Sequence, residues 1–355
     1  VWGHDQKWHH VYGKTSRPFK GELIEVSPYG GLPSLITGEH RIYAMRRHGR
    51  SYFSAPEWVP SNTLKSGKDG DLLLYPIDET VEDLDSLDWA KLDGALRPSL
   101  GGQLISTSVN QYGARHQILN SHLLPTVIPV NQNFLRLYGY YLAEGWTSPD
   151  GMVAWSFHER EVNYLQDVAE VLQQLFQLTA VQRKKPGSKG TDVYVCSKPL
   201  ARLFHHLAGD NARTKAIYPP FLRLPPHKQT SILIGLWRGD GYYNPKMGFS
   251  YSSSSVNLAY QYRLLALRQG IVALVDERPL RTHTGKGFRA GGPTYVVSIS
   301  LEHTNRFASL GGETIEERVH RRGGAKGFIH SGYLYTAIRA IRRVPYTGPV
   351  YDLGV

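Results

Sequence analysis

The sequence lacks most of what stabilises secreted or membrane-embedded chains. A single cysteine, Cys196, stands among 355 residues, which excludes an internal disulfide and a cysteine-based zinc finger. No apolar stretch approaches the roughly 20 residues that a membrane-spanning helix needs, and no secretory signal is visible at Val1. A reducing intracellular setting, cytoplasmic or nucleoid, is therefore expected, with no membrane partner of the spanning kind. Negative charge is also in short supply. Thirty Asp and Glu against 41 Lys and Arg leave a formal charge of +11, which favours a polyanionic partner, either nucleic acid or an anionic membrane surface. Core-forming residues are plentiful. Apolar content is 41%, with 22 Tyr and 7 Trp, so the chain should fold rather than stay disordered, as two or three domains.

Two stretches read almost as copies: Leu137-Tyr-Gly-Tyr-Tyr-Leu-Ala-Glu-Gly145 and Leu233-Ile-Gly-Leu-Trp-Arg-Gly-Asp-Gly241. At helical spacing Gly139 and Ala143 share one face, as do Gly235 and Gly239. Small residues at i and i+4 let two backbones approach, so each stretch is suited to pack on the other. Gly145 and Gly241 read as helix-ending glycines in the left-handed conformation. Glu144 and Asp240 then lie together at two helix C-termini, where the partial negative charge of the helix ends and their mutual repulsion disfavour both. A divalent cation is the simple remedy, and hard oxygen ligands suit magnesium.

Around these stretches the order of elements repeats. A strand at Met152–Phe157 leads to an amphipathic helix with Leu165, Val168, Leu172 and Phe176 on one face, then to a hairpin of residues 179–185 and 191–196 and a further helix. The second copy runs through a strand at Phe249–Ser255, a helix at Asn257–Gln269, a hairpin of residues 278–286 and 294–300, and a last helix with Phe307 and Leu310. The hairpins carry Arg183, Lys184, Lys185 and Lys189 in the first copy, and Arg278, Arg281, His283, Lys286 and Arg289 in the second. A two-stranded ribbon fits the major groove, where arginine reads guanine edges and lysine neutralises phosphates.

The paired nonapeptides resemble the two signature motifs of LAGLIDADG homing endonucleases, in the single-chain form that carries both. The resemblance implies an α+β fold with a pseudo-twofold core of two αββαββα-like repeats, expected to work as a monomer on double-stranded DNA. It implies a staggered double-strand cut by phosphodiester hydrolysis that depends on Mg2+ (or Mn2+). Glu144 and Asp240 would be the catalytic acids and metal ligands, with Ala143 and Gly239 at the same metal site. Asn211-Ala-Arg-Thr-Lys-Ala-Ile-Tyr-Pro219 resembles the lysine block of the family and would make Lys215 catalytic, although its proline comes later than usual. Gly323-Gly-Ala-Lys-Gly-Phe-Ile329 makes Lys326 the counterpart. Because the acids act as ligands and not as proton carriers, their pKa values need not be unusual.

The flanks resemble a second family, the Hint fold of protein-splicing inteins. Residues 1–78 are β in character, and Thr37 and His40 form the Thr-x-x-His block whose side chains polarise the upstream splice junction in that family. Trp58–Gly67 and the C-terminal Tyr346-Thr-Gly-Pro-Val-Tyr-Asp-Leu-Gly-Val355 continue the likeness. An intein opens with Cys or Ser and closes with His-Asn, and this sequence shows neither, so as given it is expected not to splice itself. The expected division is a Hint-like N-terminal part (1–78), an insertion or linker with a solvated acidic run (79–125), two LAGLIDADG repeats (126–228 and 229–330) and C-terminal Hint-like strands (331–355). The alternatives are a splicing element with a decayed nuclease, or a non-cutting nucleic-acid binder such as a maturase or regulator on the same scaffold.

Overall fold

The computed structural model describes residues 1–49, 52–67, 70–92, 103–110, 117–279, 293–311 and 327–355. The N-terminal part supplies strands β1 (Gly13–Pro28), β2 (Ser34–Thr37), β3 (Arg41–Met45), β4 (Glu57–Pro60) and β5 (Leu72–Pro76). The first repeat follows as α1 (Gln132–Glu144), β6 (Gly145–Thr147), β7 (Met152–His158), α2 (Val162–Phe176), β8 (Val181–Lys184), β9 (Gly190–Cys196) and α3 (Lys198–Ala208). The second is α4 (Pro226–Asp240), β10 (Gly241–Asn244), β11 (Gly248–Ser253), α5 (Val256–Arg268), β12 (Ala273–Arg278), β13 (Thr294–Ile299) and α6 (Thr304–Gly311). Strands β14 (Gly327–His330) and β15 (Tyr333–Gly354) close the chain.

The two repeats build sheets of the same topology, β6-β7-β9-β8 and β10-β11-β13-β12, each four-stranded and antiparallel. The short strand after each motif, β6 or β10, is what turns the motif helix into the edge of its sheet. One continuous apolar core runs through both repeats, from Phe134 and Trp155 in the first to Tyr251 and Phe307 in the second. A separate seven-stranded sheet, in the order β2-β1-β15-β5-β3-β4 with β14 on β15, joins the two ends of the chain and has its own small core of Ile24, Val26, Ala44, Val59 and Ile338. That sheet docks on repeat two. Val275 donates its backbone N–H to the Gly30 carbonyl (3.2 Å), Leu32 N donates to the Tyr260 hydroxyl (2.5 Å), and the buried Arg263 guanidinium lies 5.9 and 5.7 Å from the rings of Tyr75 and Tyr260.

The acidic run before residue 86 is extended rather than helical and largely exposed, and it is paired to residues around the start of α4: Glu82 to Arg223 (2.7 Å), and Asp83 and Asp85 to Lys228 (2.6 and 3.3 Å). That complementary charge is invisible in a local reading. Within the 79–125 stretch, for which sequence offered no account, Gln103–Asn110 and Gln117–Pro125 form an antiparallel hairpin.

The motif helices meet backbone to backbone. A Cβ added to Gly139 would sit 2.5 Å from the Ile232 carbonyl oxygen and 3.0 Å from the Gly235 Cα; one added to Gly235 would sit 2.4 Å from the Arg136 carbonyl oxygen. The terminal glycines behave otherwise than expected. Gly145 (φ −80°, ψ 151°) and Gly241 (φ −88°, ψ 157°) are extended rather than left-handed, because each helix passes straight into a strand. Glycine is required there by crowding instead, since a Cβ on Gly241 would lie 2.1 Å from the Trp237 carbonyl oxygen. Gly139→Ala is therefore expected to destabilise the protein by about 1–3 kcal/mol through forced helix separation. That loss comes despite the gain of about 1 kcal/mol that Ala brings to an ordinary helix. Thermal unfolding checks the sign, with Gly13→Ala, which meets nothing within 4 Å, as the neutral control.

Candidate functional site

The helix crossing delivers the two acids to one place. A Cβ on Gly239 would come within 2.5 Å of the Ala143 Cβ and 3.1 Å of the Glu144 Cγ, so the Ala143–Glu144 and Gly239–Asp240 segments lie against one another. Glu144 is half-buried and Asp240 is open to solvent. Below them Lys215 is buried, its Nζ donating to the carbonyl oxygens of Tyr141 (2.7 Å) and Gly145 (2.6 Å) and standing 4.9 Å from the Tyr141 ring. Its own carbonyl accepts from Ser255 Oγ (2.7 Å), the residue that caps α5. Lys215 thus ties the carbonyl end of α1 to the second repeat and supplies the positive charge that end lacks.

All three groups are displaced from their ordinary pKa values, although a role as ligands does not require it. Burial, followed by the charge of Asp240, raises the Glu144 carboxyl to about 8. Asp240 reaches solvent at its surface, but the protein packed around its base desolvates the carboxylate and raises it to about 6, opposed by Lys215. Burial lowers the Lys215 ammonium to about 8, opposed by the two acids. The three groups form a cluster short of positive charge. Among the described residues no group of three or more His, Cys, Asp or Glu is gathered as a metal site. Glu144 and Asp240 alone would offer side-chain oxygens to a hard divalent cation, with water, backbone and substrate oxygens completing its shell. Two repelling carboxylates with too little compensating charge fit that role.

The other predicted residues fall in three places. Arg183 and Lys184 lie on β8, Lys185 just after it, near enough to Glu144 to act on its charge, Lys189 just before β9, and Arg278 ends β12. Lys184 is largely exposed, with Glu159 at 3.6 Å, and Lys189 is exposed. Lys185 is not a free hairpin tip. Its Nζ contacts Ser156 Oγ (2.9 Å) and Asp192 Oδ1 (3.1 Å), while Arg183 reaches Asp192 Oδ2 (3.5 Å). Arg281, His283, Lys286, Arg289 and Lys326 lie outside the described residues. Thr37 ends β2 of the separate large sheet and His40 lies in the turn between β2 and β3, where its N–H donates to the Thr37 carbonyl (3.1 Å), and both line a cavity of about 620 Å³ with Thr15, Ser16 and Tyr346. Sequence reasoning missed Ser156 and Asp192. Their only signal was an acid within the strand opposite a basic run.

Residues 228–312 match the LAGLIDADG-like domain family. The chain carries a LAGLIDADG-like domain. The match covers the second repeat, and the first has the same element order and sheet topology. The chain is 28% identical over 370 residues to the ATP-dependent DNA helicase Hel308 of Thermococcus kodakarensis, covering 96% of this chain and 31% of the helicase. It is 27% identical over 387 residues to an uncharacterized protein of Methanocaldococcus jannaschii, covering 99% of this chain and 44% of that protein. The chain thus spans less than half the length of these relatives. A structure of the homing endonuclease I-DmoI in complex with DNA and Mn aligns with a TM-score of 0.39 at 15% identity, over 52% of this chain and 99% of that one.

The protonation pattern carries a stability signature in metal-free protein. Glu144, raised from 4.5 to about 8, and Asp240, raised from 3.8 to about 6, favour the folded state at low pH. Their contribution is lost as pH rises through those windows. Lys215, lowered from 10.5 to about 8, acts in the opposite sense, and stability recovers as pH rises from about 8 to 10.5. Melting temperature in chelator is expected to fall between pH 5 and 8, and Glu144→Gln to flatten that fall by a few degrees. A profile untouched by the substitution would place Glu144 in an ordinary aqueous environment.

Proposed function

We propose that this protein is a site-specific DNA endonuclease that makes a staggered double-strand cut in a long DNA target. The observation that carries the reading is the juxtaposition of Glu144 and Asp240 at the crossing of the two motif helices, with Lys215 beneath them. Phosphodiester hydrolysis requires stabilisation of negative charge on the phosphorane and on the leaving oxygen. Mg2+ or Mn2+, when bound between the acids, supplies charge neutralisation and Lewis acidity. The chain itself does the positioning. Glu144 and Asp240 hold two carboxylates on a rigid helix pair, and Lys215 fixes the end of α1 while offsetting the charge of both acids.

In this reading Arg183, Lys184, Lys189 and Arg278, carried on or next to the outer strands of the two sheets, make phosphate and base contacts, and Lys326 is the second-half counterpart of Lys215. One chain contains both repeats, so a monomer suffices for both strands of a duplex. DNA as substrate goes with an intracellular setting, and among the described residues no helix is long and apolar enough to cross a membrane. Retention of both motif acids distinguishes this reading from that of a non-cutting nucleic-acid binder on the same scaffold.

The nuclease is further proposed to be of the intein-encoded type, with the large sheet as the Hint-like part and Thr37 and His40 as its splicing-type residues. Two observations support this. The large sheet is assembled from segments on both sides of the repeats. Nearly all of this chain also aligns with under a third of a DNA helicase, as expected of an element inserted into a host protein.

The test is cleavage of a plasmid carrying the encoding gene with the segment for this chain removed. Glu144→Gln and Asp240→Asn are nearly isosteric, and each should lower cutting by about a thousandfold or more. Specific binding in calcium should stay within about threefold, because the ribbons make the DNA contacts. Lys215→Met should lower cutting by about a hundredfold. A Glu144→Gln/Asp240→Asn double variant that still cuts the same site in magnesium would sink the assignment.

A further inference from the structure

The motif helices touch through surfaces that carry almost no side chains, and such a contact is smooth. Gly139 and Gly235 bring the backbones together but give neither helix a ridge to lodge in the other. Resistance to sliding has to come from the flanks of the crossing, and the two flanks differ. Aligned by their motifs, Arg136 corresponds to Ile232, Tyr140 to Leu236 and Leu142 to Arg238. The sixth residues of the next helices, Asp167 in α2 and Gln261 in α5, also correspond. On one flank Ile232, Leu236 and Leu142 are buried and apolar. There Gln261 brackets the loop that carries Lys215, with its amide on the Ile217 N–H (2.6 Å) and carbonyl (3.3 Å). Through that loop Lys215 holds the Glu144 end of α1 to repeat two.

On the other flank a chain of hydrogen bonds crosses from repeat to repeat. Arg238 Nη1 donates to the Tyr140 hydroxyl (3.3 Å), which donates to Asp167 Oδ2 (3.0 Å). Arg136 grips the same carboxylate with two bonds of 2.7 Å, so Asp167 cannot swing away. Arg238 Nη2 donates to the Gly311 carbonyl at the end of α6 (3.2 Å). Arg238 thus joins α4 and α6 of repeat two to α1 and α2 of repeat one. Tyr140 is only 1% exposed, and burial in low dielectric strengthens such a chain. The same residues border a cavity of about 400 Å³. Close packing therefore does not set the helix position on this side; directional bonds do.

We propose that Arg238 and Tyr140 are positioning residues that lock the Asp240 end of α4 to repeat one, as Lys215 locks the Glu144 end of α1 to repeat two. The inference rests on the nuclease reading. Asp240 lies two residues beyond Arg238 on the same helix and moves with it. A slip of α4 by a single residue would shift Asp240 about 1.5 Å against Glu144. Magnesium demands near-ideal octahedral geometry at about 2.0–2.1 Å, whereas calcium accepts looser sites. A fraction of that slip therefore weakens magnesium binding while leaving DNA contacts on the outer strands in place.

The experiment uses Tyr140→Phe, which removes only a hydroxyl, and Arg238→Met, which keeps most of the length and removes the charge. Each should raise the magnesium concentration for half-maximal cutting about tenfold. Target binding in chelator should stay within about threefold of native. The double variant should be no worse than either single, and melting losses in metal-free protein should be less than additive, because both changes break one chain. Arg238→Lys keeps a charge at the end of α4 but has one nitrogen where Arg238 uses two, so it should behave as Arg238→Met does. A native magnesium demand in Tyr140→Phe overturns the proposal. Recovery of native behaviour with lysine also overturns it, since Arg238 would then be only a compensating charge. A large loss of binding in chelator makes Arg238 a DNA contact and is equally fatal. Failure of the native protein to cut at all would instead sink the nuclease reading; the lock is then judged by melting, where additive losses overturn it.

Discussion

The structure depends on a contact between two peptide backbones. Gly139 and Gly235 leave so little room that each occupies the space a side chain would need against the carbonyl groups of the other helix. This closeness brings the ends of α1 and α4 together and so makes neighbours of Glu144 and Asp240. A methyl group at the crossing would move both acids at once. The electrostatic strain of the site follows from the same contact, since it forces two carboxylates and the carbonyl ends of two helices into one small volume. Lys215 relieves part of that strain by donating to Tyr141 and Gly145.

Much of this was legible in the sequence because it is encoded locally. The small-residue spacing, the acid before each second glycine and the αββαββα order are short-range patterns. What could not be read depends on strand register and on partners distant in sequence. Asp192 became a buried anchor only because β9 pairs with both β7 and β8, which brings Ser156, Lys185 and Arg183 to it. The pairing of the acidic run was hidden because its partners, Arg223 and Lys228, lie 141 and 145 residues further along the chain. The displaced protonation of the acids was not legible because the sequence does not show how far Glu144 and Lys215 are buried. The left-handed glycines failed for a topological reason: each motif helix feeds a strand without a turn.

The two repeats share a plan and have diverged in what their outer strands do. In the first, the β8 edge turns basic side chains onto a buried acid. In the second, β12 carries the large sheet through Gly30 and Arg339. A pseudo-symmetric scaffold gains a second binding partner in this way at the expense of equivalence between its halves. Fold alone would not disclose that asymmetry; the side chains do.

The long ribbon has a consequence for how the molecule is made. Strand β1 pairs with β15 from Gly13 opposite Gly354 to Val26 opposite Ile341, so its main partner is synthesised only after both repeats. During translation β1 leaves the ribosome with that edge unsatisfied, an exposed template for pairing with other chains. The repeats, whose own sheets form from nearby segments, can fold first. Once folded they turn a long flexible loop into a compact body with both ends held at its surface, which lowers the entropy cost of closing the ribbon. The repeats thereby act as an internal folding aid for the sheet that encloses them. An excised version lacking them would need a short, well-chosen linker to close the same ribbon.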